Sequence, residues 1–159
     1  MIDQQVQLGQ PVPDFTLPSV GGEGDTVTLS QFRGSKVVIY FYPKDMTPAC
    51  TQQACDFRDS ASYFASKGAV IIGVSGDELK SHVKFAGKHE LPFPLLADTE
   101  HIVSRMFGVW QLKKMYGREF EGIVRSTFLI NEEGILVKEW RKVRVRGHVD
   151  EVLQEVSGS

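Results

Sequence analysis

The amino-acid sequence predicts an α/β fold in which helices flank a mixed central β-sheet. Residues 37–41 and 70–74 are almost wholly apolar and rich in β-branched or aromatic side chains, which is typical of strands buried on both faces. Between these runs, apolar residues recur at helical spacing from Cys50 to Phe64. A strand, a helix and a strand in this order favour a sheet covered by helices.

The elements around this unit are predicted in chain order. An N-terminal β-hairpin is expected from strands at residues 14–17 and 26–29, on either side of the glycine-rich segment 21–24. After the second buried strand, the apolar residues Leu79, Val83 and Phe85 predict a helix over residues 78–90, and Pro92 ends it.

The C-terminal part of the chain is predicted to contain two helices and a second hairpin. A short helix is expected over residues 102–107, and residues 108–124 show no clear period and are predicted to be a loop. Residues 126–130 and 135–140 flank a four-residue turn, which predicts a hairpin. Residues 148–156 predict a closing helix.

The composition is that of one globular domain, which we predict to span residues 1–159. The chain has 18 basic and 20 acidic residues, a formal net charge of −2, and 42% hydrophobic residues. A charge near zero gives no general attraction to nucleic acid or anionic lipid. No apolar run approaches the roughly 18 residues of a membrane helix. From the charge and from the lack of such a run, neither nucleic acid nor a membrane is expected as a partner.

Cys50 and Cys55 are the only cysteines in the sequence, which excludes a multi-bridge scaffold and a zinc site made of cysteines alone. The first ten residues lack the cationic start and apolar stretch of a secretory signal. We therefore expect a cytoplasmic protein. In that compartment two neighbouring thiols favour redox catalysis or metal binding over a permanent disulfide.

Cys50 lies at a predicted helix start that follows the first buried strand. Thr47 is suited to capping the free N–H groups of the first turn, and Pro48 fits the first helical position. The partial positive charge of a helix N-terminus favours a thiolate, the reactive form of cysteine. These features predict a nucleophile. The alternative is that Cys50 is a small apolar residue in the buried stripe of the helix.

Cys55 lies five residues further along the same predicted helix. In a regular helix this spacing puts the two α-carbons roughly 8.6 Å apart, with diverging side chains. A disulfide needs α-carbons within about 7 Å. The two thiols can therefore bond only after the start of the helix unwinds. The alternative is that Cys55 is exposed and has no role.

The segment from Pro43 to Cys50, PKDMTPAC, matches the P-x-x-x-T-x-x-C active-site signature of the peroxiredoxins. The second cysteine, five residues later, resembles their bacterioferritin comigratory protein (PrxQ) subfamily. The resemblance extends from about residue 10 to about residue 156. Further similar stretches are PDFTL at 13–17, GVS at 73–75, FPLLAD at 93–98 and RSTFLI at 125–130.

This resemblance implies a thioredoxin-like fold and a thiol peroxidase that reduces hydrogen peroxide and organic hydroperoxides. Cys50 matches the peroxidatic cysteine and Cys55 the resolving cysteine. Thr47 matches the residue that aligns peroxide and thiolate, and Pro43 the residue that shields the site from water. Arg125 matches the cation that stabilises the thiolate, a role that suits a side chain that stays charged when partly buried.

The resemblance also implies a reaction cycle. The Cys50 thiolate attacks a peroxide oxygen and becomes a sulfenic acid, Cys55 condenses with it to a disulfide, and thioredoxin reduces that disulfide. No metal, haem or flavin is implied as a cofactor. A resolving thiol in the same chain favours a monomer. Gln53 stands where related enzymes carry Glu or Gln.

Two other functions remain open on the sequence alone. A thioredoxin-like disulfide oxidoreductase would share the fold and the two thiols, although it would more naturally use a C-x-x-C motif, which is absent. A non-enzymatic thioredoxin-fold binding module would tolerate a weakened active site. In this sequence, however, the signature and Arg125 are intact. For Arg125 taken by itself, the alternative is a surface charge at the end of a strand.

Four histidines and one basic segment carry weaker signals. The spacing of His82, His89, His101 and His148 matches no metal-binding motif, so we predict that they are surface or loop residues. Residues 138–146 contain five of the 18 cations and are predicted to form a solvated edge strand, with a basic ribbon as the alternative.

Overall fold

The computed structural model describes residues 5–158. Residues 1–4, used in the argument on compartment, and residue 159 lie outside this range, and the single-domain prediction for the whole chain stays a prediction. The described strands are β1 Thr16–Val20, β2 Thr26–Thr28, β3 Lys36–Phe41, β4 Ala69–Ser75, β5 Leu95–Ala97, β6 Trp110–Met115, β7 Arg118–Ile123, β8 Ser126–Ile130 and β9 Leu136–Trp140. The described helices are α1 Pro48–Ser66, α2 Leu79–His89, α3 Ile102–Met106 and α4 His148–Gly158, and a 3₁₀ helix spans Leu29–Phe32.

A seven-stranded mixed sheet forms the centre of the fold, in the order β2-β1-β5-β4-β3-β8-β9. The pairs β3–β4 and β4–β5 are parallel, and the other pairs in this sheet are antiparallel. Strands β6 and β7 pair with each other in a separate two-stranded sheet. The predicted α/β class with a mixed central sheet is confirmed.

Strand β3 is buried on both faces because its side chains alternate between two apolar clusters. Val37, Ile39 and Phe41 face one cluster, which includes residues of α3. Val38 and Tyr40 face the other cluster, which includes residues of α1, α2 and α4. This double burial explains the continuous apolar run in the sequence, since no face of the strand meets water.

Helix α1 runs without interruption from Pro48 to Ser66 and packs one face on the sheet. Its buried residues are Cys50, Gln53, Ala54, Phe57 and Phe64. This spacing matches the predicted helical stripe, with Gln53 as a polar member that the apolar pattern did not reveal. No helix within residues 5–158 is both long and apolar enough to cross a membrane.

The segment 108–124, predicted to be a loop, is instead the hairpin β6–β7. Its turn consists of Tyr116 and Gly117, both with positive φ, as a two-residue hairpin turn requires. Most side chains of both strands are exposed or half-buried, so no face imposes an apolar alternation on the sequence. The loop prediction was wrong because it depended on that alternation.

Two further corrections concern the sheet. Strand β5 was not predicted, because it is only three residues long and follows Pro92 and Pro94, which read as a helix stop and a loop. The basic segment 138–146 was predicted to be an edge strand, but the edge strand β9 ends at Trp140. Residues 141–146 follow it outside any strand.

Candidate active site

The loop of residues 42–47 connects β3 to α1 and carries Pro43 and Thr47; we call it the active-site loop. It places Cys50 in the first turn of α1, where the unpaired N–H groups of the helix start give partial positive charge. The Cys50 side chain is 1% exposed and belongs to the apolar cluster that α1 forms with the sheet. The helix begins at Pro48, as predicted.

Arg125 lies directly before β8 and contacts the Cys50 sulfur. Its Nη2 atom is 3.2 Å from Cys50 Sγ, and its Nη1 atom donates a hydrogen bond of 2.6 Å to Gln53 Oε1. The Arg125 carbonyl accepts a hydrogen bond from the Val143 amide at 2.9 Å, which fixes the backbone there. A guanidinium in contact with sulfur stabilises the thiolate form electrostatically.

Thr47 occupies the N-cap position of α1, but its side chain makes no capping hydrogen bond. Instead, Thr47 Oγ1 donates to the Lys44 carbonyl oxygen at 2.8 Å, within the active-site loop. The prediction that this hydroxyl caps the helix is therefore wrong. Since its proton is directed to Lys44, the lone pairs of Oγ1 remain to accept a hydrogen bond from another donor.

Cys55 is half-buried on the same continuous helix, and neither cysteine is in a disulfide. Its sulfur lies 3.9 Å from His89 Nδ1 on α2. Arg58 Nη1 donates to the His89 carbonyl at 2.9 Å and so joins α1 to the end of α2. With the helix intact, the geometry of five intervening peptide units keeps the two sulfur atoms apart.

The structure thus brings together three of the residues singled out in the sequence: Cys50, Arg125 and Gln53. Pro43 and Thr47 lie on the adjoining loop, and Cys55 lies further along α1. A buried thiol, a guanidinium on its sulfur and a helix N-terminus form an arrangement suited to thiolate chemistry.

Comparison with known proteins agrees with this chemistry. Residues 8–139 match the AhpC/TSA family. The chain belongs to that family. Its relatives include Peroxiredoxin Bcp of Bacillus subtilis, 57% identical over 149 residues that cover 94% of each chain. Peroxiredoxin Bcp of Xanthomonas campestris is 45% identical over 153 residues, covering 96% of this chain and 94% of the relative.

Solved structures give the same assignment. Xanthomonas campestris Peroxiredoxin Q has a TM-score of 0.87 at 43% identity and covers 98% of both chains. The Xanthomonas campestris bacterioferritin comigratory protein, studied for its alkyl peroxide reduction activity, has a TM-score of 0.85 at 44% identity, covering 91% of this chain and 90% of that one. The chain is a peroxiredoxin of the Bcp/PrxQ group, a peroxidase with the predicted thioredoxin-like fold.

Two histidines of this peroxiredoxin are buried, contrary to the prediction that all four lie on the surface or in loops. His82 on α2 is 0% exposed, and His148 at the start of α4 is 5% exposed. His82 Nδ1 lies 2.7 Å from Asp45 Oδ2 in the active-site loop, and His148 Nε2 lies 2.8 Å from Thr127 Oγ1. Their partners are distant in sequence, so no local pattern could have revealed them.

Tyr40 lies behind the peroxiredoxin active site, and its hydroxyl is buried. Among residues 5–158 this hydroxyl has no hydrogen-bond partner. Burial, and then the charges of Cys50 and Asp45, raise the pKa of Tyr40 well above its usual value. The Tyr40 ring therefore stays neutral and acts as part of the core, stacked on Phe57 with ring centroids 4.6 Å apart.

A cavity of about 410 Å³ opens beside the active-site loop of the peroxiredoxin. Pro43 lines it on one side, and the hairpin β6–β7 contributes Trp110, Met115 and Phe120 on another. Lys113 also lines it and donates to the Ile123 carbonyl at 2.9 Å. Burial, and then the charge of Arg125, lower the pKa of Lys113.

Proposed function

We propose that Cys50 is the peroxidatic cysteine of this peroxiredoxin and that Arg125 stabilises its thiolate. The observation that carries the proposal is the 3.2 Å contact of Arg125 Nη2 with Cys50 Sγ in the first turn of α1. Gln53 supports the arrangement because its side-chain oxygen holds the second amino group of the guanidinium. Both charges on this sulfur, from the helix and from Arg125, favour the nucleophilic form.

In the first step, the Cys50 thiolate attacks one oxygen of the hydroperoxide and the O–O bond breaks. The sulfur keeps that oxygen as a sulfenic acid, and the other oxygen leaves as water or an alcohol after taking up a proton. We assign Thr47 Oγ1 the role of accepting a hydrogen bond from the peroxide, because its own proton is directed to Lys44. Pro43 has no amide proton and shields the loop side of the site.

In the second step, Cys55 resolves the sulfenic acid. The Cys55 sulfur attacks Cys50 Sγ, the S–O bond breaks, and the thiol proton leaves with the oxygen as water. The continuous helix and the spacing of the two residues support a cycle in which the start of α1 unwinds before this bond forms. The half-buried Cys55 is more accessible than Cys50 at rest.

The substrate and partner assignments follow from the same site. We propose hydrogen peroxide and organic hydroperoxides as substrates, since the aromatic and thioether lining of the neighbouring cavity suits an alkyl group. We propose a monomer as the working form, because both thiols lie on one helix. We propose thioredoxin as the reductant of the disulfide that they form. The cytoplasm is the proposed compartment, where such a disulfide can be reduced again. We propose a single domain for residues 1–159.

Peroxide-dependent NADPH oxidation tests this function with purified protein, thioredoxin and thioredoxin reductase. We expect turnover with the natural chain and none with Cys50→Ser. Cys55→Ser serves as the matched control, which should react once with peroxide and then accumulate the sulfenic acid. Robust turnover by Cys50→Ser would refute the assignment of the nucleophile.

Mass spectrometry tests the resolving role separately. Peroxide-treated protein should lose two hydrogens as Cys50 and Cys55 form one intramolecular bond. A stable sulfenic acid or a disulfide between two chains in the natural sequence would contradict the role of Cys55 and the monomer, while leaving the role of Cys50 intact.

A further inference from the structure

A buried polar cluster lies under the active-site loop, and the reaction described above does not use it. Its centre is the carboxylate of Asp45, which is 3% exposed. Asp45 Oδ1 accepts a hydrogen bond from the Tyr42 hydroxyl at 2.6 Å. Asp45 Oδ2 accepts one from the Ser81 hydroxyl at 2.8 Å and lies 2.7 Å from His82 Nδ1.

The contacts of His82 engage both of its ring nitrogens. His82 Nε2 lies 3.0 Å from the Leu96 carbonyl oxygen, which can only accept, so Nε2 carries a proton. His82 Nδ1 faces a carboxylate oxygen that already accepts from Ser81. Both ring nitrogens thus lie within hydrogen-bond distance of an oxygen, and His82 and Asp45 form a buried hydrogen-bonded pair.

The charge of Asp45 agrees with this assignment. Burial alone raises the pKa of a carboxyl group. Hydrogen bonds from His82, Tyr42 and Ser81 outweigh burial here, and the pKa of Asp45 is lowered overall. Replacing one member of such a pair leaves an unpaired buried group, which costs far more than replacing both.

The anchors of Asp45 lie outside the helix that must unwind. The Asp45 amide donates to Asp77 Oδ2 at 2.8 Å, and the same oxygen accepts from Ser75 Oγ at 2.6 Å. Within residues 5–158, the partners of the Asp45 carboxylate and amide belong to α2, to the segment between β4 and α2, and to the loop itself. Partial opening of α1 therefore leaves this attachment in place.

The backbone beside Asp45 also needs such an attachment. Met46 has φ 66°, a left-handed conformation that a residue with a side chain adopts only when its surroundings hold it there. The next residue is Thr47, whose hydroxyl is oriented by Lys44 on the same loop. The position of Thr47 relative to the Cys50 sulfur thus depends on the loop being fixed at Asp45.

We propose that Asp45 and His82 are positioning residues of the peroxidase: their buried hydrogen-bonded pair fixes the active-site loop, and with it Pro43 and Thr47, against Cys50. The proposal rests on the proposed role of Cys50 as the peroxidatic cysteine. It predicts a selective effect on the reaction. The pair serves oxidation, which needs alignment of peroxide and thiolate, and does not serve disulfide formation, which needs α1 to open.

The test measures the two steps separately by rapid mixing with peroxide, quenching with an alkylating reagent and mass spectrometry. In His82→Asn and Asp45→Asn, we expect Cys50 oxidation to slow between about tenfold and about a hundredfold. Conversion of the sulfenic acid to the Cys50–Cys55 disulfide should keep its rate within about twofold, because the anchors lie outside α1.

A double variant, Asp45→Ala with His82→Leu, tests whether the two residues act as a unit. It leaves neither partner of the buried pair behind, so its oxidation rate should fall no further than that of either single variant. Losses that multiply in the double variant would show two independent effects and overturn the pairing.

Destabilisation of the fold is controlled with Val27→Ala, a truncation of a buried side chain of β2 that belongs to the other apolar cluster from Tyr42 and Cys50. Its folded fraction should oxidise at the natural rate. If the histidine and aspartate variants do not fold, Tyr42→Phe and Ser81→Ala each remove one hydrogen bond to Asp45 and should slow oxidation a few-fold.

Two further results would overturn the proposal: natural oxidation rates per folded molecule in these variants, or equal slowing of both steps. Cys50→Ser separates this failure from a failure of the proposed function. If Cys50→Ser still turned over peroxide, the assignment of Cys50 as the nucleophile would be wrong, and the loop would not be positioned against a reacting sulfur.

Discussion

Arg125 contacts two side chains at once, through different nitrogen atoms of one planar group. Nη2 contacts the Cys50 sulfur and Nη1 the Gln53 side-chain oxygen. Gln53 is fully buried, so its oxygen provides a fixed second point of attachment. This two-point contact orients the positive charge as well as supplying it, which a lysine ammonium cannot do at both points.

Arg125→Lys should therefore slow oxidation of Cys50 by peroxide by about a hundredfold, the loss expected when one oriented donor is removed from a reacting group. The rate is measured by rapid quenching under a single turnover. Arg105→Lys, a change of the same kind at an exposed position on α3, provides the control and should leave the rate unchanged. A rate for Arg125→Lys within about twofold of the natural one would contradict the role of the guanidinium geometry.

Helix α1 carries the two thiols in its first turns and two large buried aromatic rings further along. Phe57 is fully buried and stacks on Tyr40, and its ring lies 5.8 Å from that of Phe64. Burial of such rings contributes several kcal/mol, about 3 to 5 for a complete truncation. Opening of the helix should therefore stop before Phe57.

Hydrogen exchange measured by mass spectrometry tests this limit. In the disulfide form, amides in the turns of α1 before Phe57 should lose protection, whereas those after Phe57 should keep it. Peroxide-treated Cys55→Ser is the control, because it carries the sulfenic acid without the bond and should stay protected. Loss of protection along the whole of α1 would show that the aromatic contacts do not confine the opening.

The hairpin β6–β7 has an unusual turn residue in Tyr116. Its side chain is 96% exposed, so it adds no packing, while its backbone adopts φ 53°. Asparagine tolerates this conformation much better than tyrosine. Tyr116→Asn should stabilise the hairpin locally by about 1 kcal/mol, seen as slower amide exchange in β6 and β7. Amides of α4 serve as the internal reference, and unchanged or faster exchange in the hairpin would contradict the expectation.

The sequence predicts well those elements in which burial imposes a regular pattern of apolar residues. Residues 37–41 and α1 show their burial directly in their apolar patterns. The hairpin β6–β7 lacks such a pattern because both of its faces are largely exposed. The site follows the same division. The signature from Pro43 to Cys50 is local, whereas the contact of Asp45 with His82 joins residues 37 apart and depends on the fold.

His148 links the stability of the whole molecule to pH. Burial, and then the charge of Arg125, lower the pKa of His148 to about 4, compared with about 6.5 in an unfolded chain. Between these values the unfolded chain binds a proton that the folded chain does not. The free energy of unfolding therefore falls as the pH falls through this window.

Urea denaturation across the window measures this contribution. From about pH 7 to about pH 4, His148 should lower the free energy of unfolding by about 2 kcal/mol, after allowance for solvent screening. His148→Gln keeps a hydrogen-bonding group for Thr127 Oγ1 and has no charge to gain, so its profile should be flatter by that amount. Equally steep profiles would show that other groups account for the acid sensitivity.

The N-terminus of α1 has no side-chain cap, since the Thr47 hydroxyl is engaged with Lys44. A capping bond is worth about 1 kcal/mol, so its absence raises the population of frayed conformers about fivefold. The hydroxyl that we propose accepts a hydrogen bond from the peroxide is thus withdrawn from the helix, and the same choice of partner makes the helix easier to open. The hydrogen bond from Thr47 to Lys44 thereby links the proposed contact with peroxide to the opening of α1 on which disulfide formation depends.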